Sequence, residues 1–153
     1  MNQSILKKYV SKNPLKQFKV HHLGCAVNRI EEACKIYCDT LGFEIMTGPV
    51  ELAAQRIRVC FINIGNNCLL ELVESIGDKS PVSEILKKNG NCLYHICYQV
   101  ENIDQSIKML ISAGFTKLRF TRVNNFYNYD YIYLIAPDNQ LIELCSASKN
   151  LNR

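Results

Sequence analysis

No stretch of the 153-residue chain approaches the run of about 18 apolar residues that a membrane-spanning helix requires. The N-terminal segment lacks the unbroken apolar region and small-residue cleavage site of a secretory signal, so a cytoplasmic location away from any membrane is expected. None of the eight cysteines forms a CxxC pair, which speaks against zinc-finger chemistry. Cys25, Cys34, Cys38, Cys60, Cys68, Cys92, Cys97 and Cys145 sit mostly inside apolar segments, where a reduced thiol behaves as a small hydrophobe. Nor is there the basic stripe with interleaved aromatics that grips nucleic acid. The formal charge is +4, but Lys7, Lys8, Lys12, Lys16 and Lys19 all fall in the first nineteen residues, and the remainder is nearly neutral. Residues 1–18 therefore read as a solvated basic extension, helical at best near Ile5 to Val10.

What the sequence does contain is a repeat. Val20-His21-His22-Leu23-Gly24-Cys25-Ala26-Val27 shares its layout with Leu93-Tyr94-His95-Ile96-Cys97-Tyr98-Gln99-Val100, each with a His at the third place. A helical stripe follows each strand: Ile30, Ala33, Cys34, Tyr37 and Leu41 in one half, Ile103, Ile107, Leu110 and Ile111 in the other. Gly42 and Gly114 stop these helices, 20 residues after His22 and 19 after His95. Leu69-Leu70-Glu71-Leu72 then recurs as Leu141-Ile142-Glu143-Leu144, placing the glutamates 49 and 48 residues after the respective His.

Room remains in each half for two more strands, over 44–47 and 56–64 and over 117–122 and 129–136. The expected fold is α+β: two tandem βαβββ modules, 19–76 and 92–147, forming a curved mixed sheet around a central cleft. Between them lies a linker helix within 77–91, opened by Ser80 as N-cap and Pro81 in the first turn. With 48% apolar residues, one domain of this length can bury its own core.

An acidic side chain within an apolar strand is costly to bury unless a cation balances it. Both repeated glutamates pose that problem. A lone strand His is more often structural and a lone strand Glu more often solvated, but the repeat in register predicts that pseudo-twofold pairing brings His22, Glu71, His95 and Glu143 to one point. Two imidazoles and two carboxylates suit one divalent ion, whether Zn, Co, Ni, Mn or Fe, and leave positions for water or substrate. Strand alternation sends His21 to the face opposite His22, and Glu74, near its strand end, is expected to reach solvent.

With these residues in hand, the chain over 19–147 resembles the vicinal oxygen chelate superfamily, which includes glyoxalase I, bleomycin-resistance proteins and extradiol dioxygenases. Within it the sequence is most similar to the methylmalonyl-CoA epimerase family, whose H-x-G-I-A-V, E-L-L-E, D-S-P-I and H-H-I-x-x-E-V motifs appear here as His22-Leu23-Gly24-Cys25-Ala26-Val27, Glu71-Leu72-Val73-Glu74, Asp78-Lys79-Ser80-Pro81-Val82 and Tyr94-His95-Ile96-Cys97-Tyr98-Gln99-Val100. The linker match is the most discriminating, since the metal strands are common to the superfamily.

The resemblance implies an isomerase or lyase that removes a proton alpha to a carbonyl and stabilises the enolate on its metal, acting on a small molecule with an acyl-CoA among the candidates, as a homodimer. It assigns Glu143 a double role, ligand and base. The second glutamate of the family falls at Ala54, just before Gln55-Arg56-Ile57, and Glu51 is the nearest substitute, although a solvated loop position suits it better. Reading the aromatic run Phe126-Tyr127-Asn128-Tyr129-Asp130-Tyr131-Ile132-Tyr133 as a substrate cover is weaker than reading it as strand packing or a dimer contact. Two alternatives stay open: a lactoylglutathione lyase (glyoxalase I)-like enzyme, although its basic glutathione contact falls at Ala26, and a small-molecule binding or antibiotic-resistance protein on the same fold.

Overall fold

The computed structural model of the chain describes residues 18–118, 123–124 and 129–147. The basic extension before Phe18, the helical turn expected within it, and Phe126 and Tyr127 of the aromatic run lie outside this set. The elements run β1 (Lys19–Val27), α1 (Ile30–Cys34), β2 (Glu44–Leu52), β3 (Ile57–Asn63), β4 (Leu69–Ser75), α2 (Ser83–Asn89), β5 (Cys92–Gln99), α3 (Ile103–Ser112), β6 (Thr116–Lys117), β7 (Val123–Asn124), β8 (Tyr129–Ile135) and β9 (Leu141–Ala147). The nine strands among the described residues join one mixed sheet in the order β2-β3-β4-β1-β5-β9-β8-β6, with β7 paired to β8. In each half the first strand lies parallel to the last, β1 with β4 and β5 with β9, and the halves meet along the antiparallel pair β1 and β5. The α+β repeat expected from the sequence is the architecture observed. None of the described helices is long and apolar enough to cross a membrane.

Each half buries its own cluster under its helix. Ile30 and Ala33 pack with Cys60, Ile62, Leu70 and Leu72 in the first half, and Val100 and Ile103 with Ile132, Leu134 and Leu144 in the second. Fully burying a side chain such as Ile62 or Leu72 stabilises the fold by about 1.5–3 kcal/mol. All eight cysteines are free thiols, four of them buried.

The helical stripe of the first half holds only as far as Tyr37. From Lys35 to Thr40 the helix widens into a π-helical turn, where the Leu41 amide reaches back to the Ile36 carbonyl at 3.1 Å. The wider turn rotates Leu41 off the stripe, and it is exposed. In α3 Ile111 is likewise exposed, while Ser106 takes a buried place because its hydroxyl bonds the Asn102 carbonyl at 2.9 Å. Ahead of α2, Ser80 accepts the Val82 amide on its hydroxyl at 3.3 Å and the Ser83 amide on its carbonyl at 3.2 Å. The turn expected at Ser80-Pro81 is present, but the regular helix begins only at Ser83.

Glu74 is largely withdrawn from solvent, its side chain 15% exposed. One carboxylate oxygen accepts the Ile30 amide at 2.7 Å at the start of α1, and Arg58 donates to both oxygens at 3.1 and 3.2 Å while also gripping Glu31 at 2.7 Å. A carboxylate at a helix N-terminus satisfies an amide with no intrahelical partner and suits the helix dipole. Glu74 thus ties α1 to the sheet.

Candidate metal centre

The four strands at the middle of the sheet, β4, β1, β5 and β9, each contribute one side chain to a single cluster: Glu71, His22, His95 and Glu143. Pairing sets the geometry. Glu71 stands opposite Gly24, two residues after His22, and Glu143 stands opposite Cys97, two residues after His95, so the halves present these side chains in the same way. The Nε2 atoms of His22 and His95 are 3.1 Å apart. Glu143 Oε2 lies 2.9 Å from His95 Nε2 and 3.3 Å from His22 Nε2, and Glu71 Oε2 lies 3.6 and 3.4 Å from the same two atoms.

These donors fit one divalent ion. Two ligands bound at about 2.1 Å and separated by about 90–109° stand about 3.0–3.4 Å apart, close to the spacings observed. Glu143 Oε2 is buried and, despite its nearness to both rings, has no aligned hydrogen-bond donor among the described residues. An ionised oxygen in that position calls for a cation.

Charge balance in the cluster is visible in the ionisation of its members. Burial works to lower the His22 pKa, but the Glu71 charge and the contacts with Glu143 and Glu71 outweigh it and raise it to about 10. Burial works to raise the Glu143 pKa, but the attraction of the His22 and His95 imidazoles holds it down at about 2.

Gly24 is the seat of the His95 ring. A methyl group on Gly24 would overlap the His95 imidazole, which cannot swing away because Tyr94, His22 and Tyr133 surround it with ring centroids at 4.5, 5.2 and 5.5 Å. Gly24→Ala is expected to destabilise the protein by about 1–3 kcal/mol, as overpacking does, measured by urea denaturation of the metal-free chain.

Residues 21–133 match the Glyoxalase/Bleomycin resistance protein/Dioxygenase superfamily. The chain belongs to that superfamily. Among its relatives, the mitochondrial methylmalonyl-CoA epimerase of Bos taurus is 34% identical over 90 residues, which cover 58% of this chain and 50% of the relative. The ethylmalonyl-CoA/methylmalonyl-CoA epimerase of Cereibacter sphaeroides is 34% identical over 97 residues, covering 63% and 71%. The crystal structure of methylmalonyl-CoA epimerase from Mycobacterium tuberculosis superposes with a TM-score of 0.78 at 21% identity over 92% of this chain and 96% of that one. The chain spans about half the length of the mitochondrial relatives it matches.

In this superfamily member the cluster opens on a cavity of about 230 Å³ walled by Met46, Leu52, Val59 and Phe61 on one side and by Tyr94, Tyr131 and Tyr133 on the other. Glu71 and Glu143 are the carboxylates on its wall among the described residues. Glu51 is exposed on β2 opposite Arg58 and does not line it, so the sequence candidate for a second base is not brought to the cluster. Ala54 lies in the short turn Ala53–Gln55 and faces an adjoining outer cavity of about 630 Å³, lined also by Arg56 and Lys79.

Tyr131, Gln55, His21 and Tyr94 line the cleft without having been expected there. Tyr131 accepts a hydrogen bond from Gln55 Nε2 at 2.6 Å, joining the two halves across the cleft. Its phenol is pushed up to about 12 by burial and by the charges of Glu143 and Glu71, so it stays protonated and able to donate. His21, expected on the far face, lines the cleft beside His22. The β1–β5 register jumps between Val20 and His22 and again between Gly24 and Cys25, making His21 and Tyr94 the extra residues of two β-bulges. A bulge breaks the alternation on which the prediction for His21 rested. The one signal in the sequence is an aromatic ring immediately before each repeated His.

Proposed function

We propose that the chain is a metal-dependent, epimerase-like enzyme that moves the proton alpha to a carbonyl, with His22, Glu71, His95 and Glu143 holding one divalent ion and Glu143 as the base. The observation that carries this is the convergence of two imidazoles and two carboxylates, with spacings of 2.9–3.6 Å, of which His22, Glu71 and Glu143 line a largely apolar cavity. A divalent ion held by these four residues would polarise a substrate oxygen and so acidify the neighbouring C–H. The apolar walls of Leu52, Val59 and Phe61 exclude water from the reacting carbon, and Glu143 faces it from β9. Tyr131, with Gln55 donating to its oxygen, has its own O–H left to give to the substrate. An acyl thioester fits the two cavities together: the acyl group in the inner one, and an anionic carrier such as CoA passing Arg56 and Lys79 in the outer one.

A second reading, proton transfer by a single base on a related acyl or keto compound, is favoured by Ala54 and by the exposed position of Glu51. One experiment addresses both. The metal-loaded protein in deuterated water is expected to place deuterium on the α-carbon of methylmalonyl-CoA; exchange with inversion supports the epimerase, and exchange with retention the single base. No exchange with methylmalonyl-CoA, other acyl thioesters or 2-keto acids would overturn both.

A further inference from the structure

The bulge at His21 gives His22 a partner. Val20 pairs with Tyr98 and His22 with Cys97, so β1 fits two residues, His21 and His22, against one of β5, and both imidazoles turn to the cleft. The His21 Nδ1 is 2.9 Å from the His22 Nδ1, while the His22 Nε2 faces Glu71, Glu143 and His95. A neutral imidazole carries one N–H and one lone pair. If Nε2 of His22 is to offer its lone pair to an ion, Nδ1 must carry the hydrogen, and the atom in line to accept it is Nδ1 of His21.

We infer that His21 is the positioning residue of the metal centre, accepting the His22 Nδ1–H and so fixing both the tautomer and the plane of that ring. The inference rests on the metal centre proposed above. The second half supplies a comparison within the same molecule. Tyr94 occupies the equivalent bulge and packs its ring edge-on against His95, with centroids 4.5 Å apart, yet His95 Nδ1 has no hydrogen-bond partner among the described residues. His95 is held by shape, against Gly24 and the tyrosines, and His22 by a hydrogen bond. The assignment also disposes of a rival. A ring nitrogen of His21 stands within 4.8 Å of the Cys97 and Cys145 thiols, a set of donors able to bind an ion of its own. With Nδ1 accepting from His22 and Nε2 carrying the proton, His21 has no lone pair to give such an ion.

Outer partners of metal-bound histidines are worth about 10–100-fold in affinity. The test is zinc affinity, read by competition with a chromogenic chelator, for wild type, His21→Phe and His21→Asn. The Phe variant keeps an aromatic ring without an acceptor and is expected to bind zinc about 10–100-fold more weakly. The Asn variant, whose amide oxygen can take the place of Nδ1, is expected to stay within about threefold of wild type, since the lost acceptor is restored. Wild-type affinity in His21→Phe, or an equal loss in both variants, would overturn the inference. Should the Phe variant not fold, the long-range proton–nitrogen spectrum of the zinc-loaded wild type decides: His21 as the Nε2–H tautomer supports it, and His21 as the Nδ1–H tautomer overturns it. A wild-type chain that takes up no zinc would sink the metal centre itself, and that result is read before any variant is compared.

Discussion

His95→Ala is expected to lower the metal content of the dialysed protein from one equivalent to below about a tenth, because a structured site gives up most of its binding free energy when a buried ligand is lost. The His95 side chain has no exposed surface, and its Nε2 makes the shortest contact of the cluster, 2.9 Å to Glu143. No neighbour can replace it. The Gly24 seat is empty once the ring is gone, and Tyr94 and Tyr133 offer phenols whose pKa is driven well above its ordinary value by burial and by the nearby carboxylates. Plasma emission spectroscopy on wild type and variant reads the difference, and undiminished metal in the variant would remove the quartet as a metal centre.

The same cluster predicts how binding depends on pH. In the metal-free protein His22 is raised from 6.5 to about 10, so at neutral pH it carries a proton that an incoming ion must displace. Zinc affinity is therefore expected to rise about tenfold per pH unit through the neutral range and to level off only near the His22 pKa. Stability of the metal-free fold runs the other way. The raised His22 contributes fully below its ordinary 6.5 and loses its contribution as pH climbs toward about 10. The depressed Glu143 contributes above its ordinary 4.5 and loses its contribution as pH falls toward about 2. Metal-free protein should thus be most stable in mildly acidic solution, where the ion binds poorly.

Much of this cluster was legible in the sequence because the information is periodic. His22 and His95, the glutamates that follow at almost equal intervals, and the glycines ending each helix repeat in register, and a repeat constrains geometry without any knowledge of distant contacts. What escaped depends on pairing across the chain. His21 faces the cleft because β1 bulges against β5, a strand more than seventy residues later, and alternation counted along β1 alone gives the wrong face. Glu74 looks solvated until Arg58 and the Ile30 amide are placed beside it. Leu41 completes an apolar stripe at 3.6 residues per turn and leaves it once Lys35–Thr40 adopts the wider turn. Tyr131 lay inside an aromatic run whose ordinary explanation was strand packing, and only the turn carrying Gln55 distinguishes it.

Glu143→Gln should slow α-proton exchange by about 10²–10⁴-fold, the usual contribution of a general base, while the fold is kept. Glutamine has the shape of glutamate, so the place opposite Tyr133 in the β8–β9 ladder is filled as before, but its amide cannot take a proton. Reduced metal content could mimic this loss, and exchange is therefore compared at saturating metal. Glu71→Gln is the control that separates base from ligand. Its carboxylate stands farther from both imidazoles, at 3.4 and 3.6 Å against 3.3 and 2.9 Å for Glu143, and its side chain is 14% exposed against 6%. A partly hydrated oxygen at longer range adds less charge to the site, and a neutral amide oxygen there can still coordinate a divalent ion. Glu71→Gln should therefore keep exchange within about tenfold of wild type once metal is saturating, since partly exposed charge interactions are weak. Equal losses in the two variants would mean that Glu143 serves only as a ligand and that the proton is taken by another group on the cleft wall.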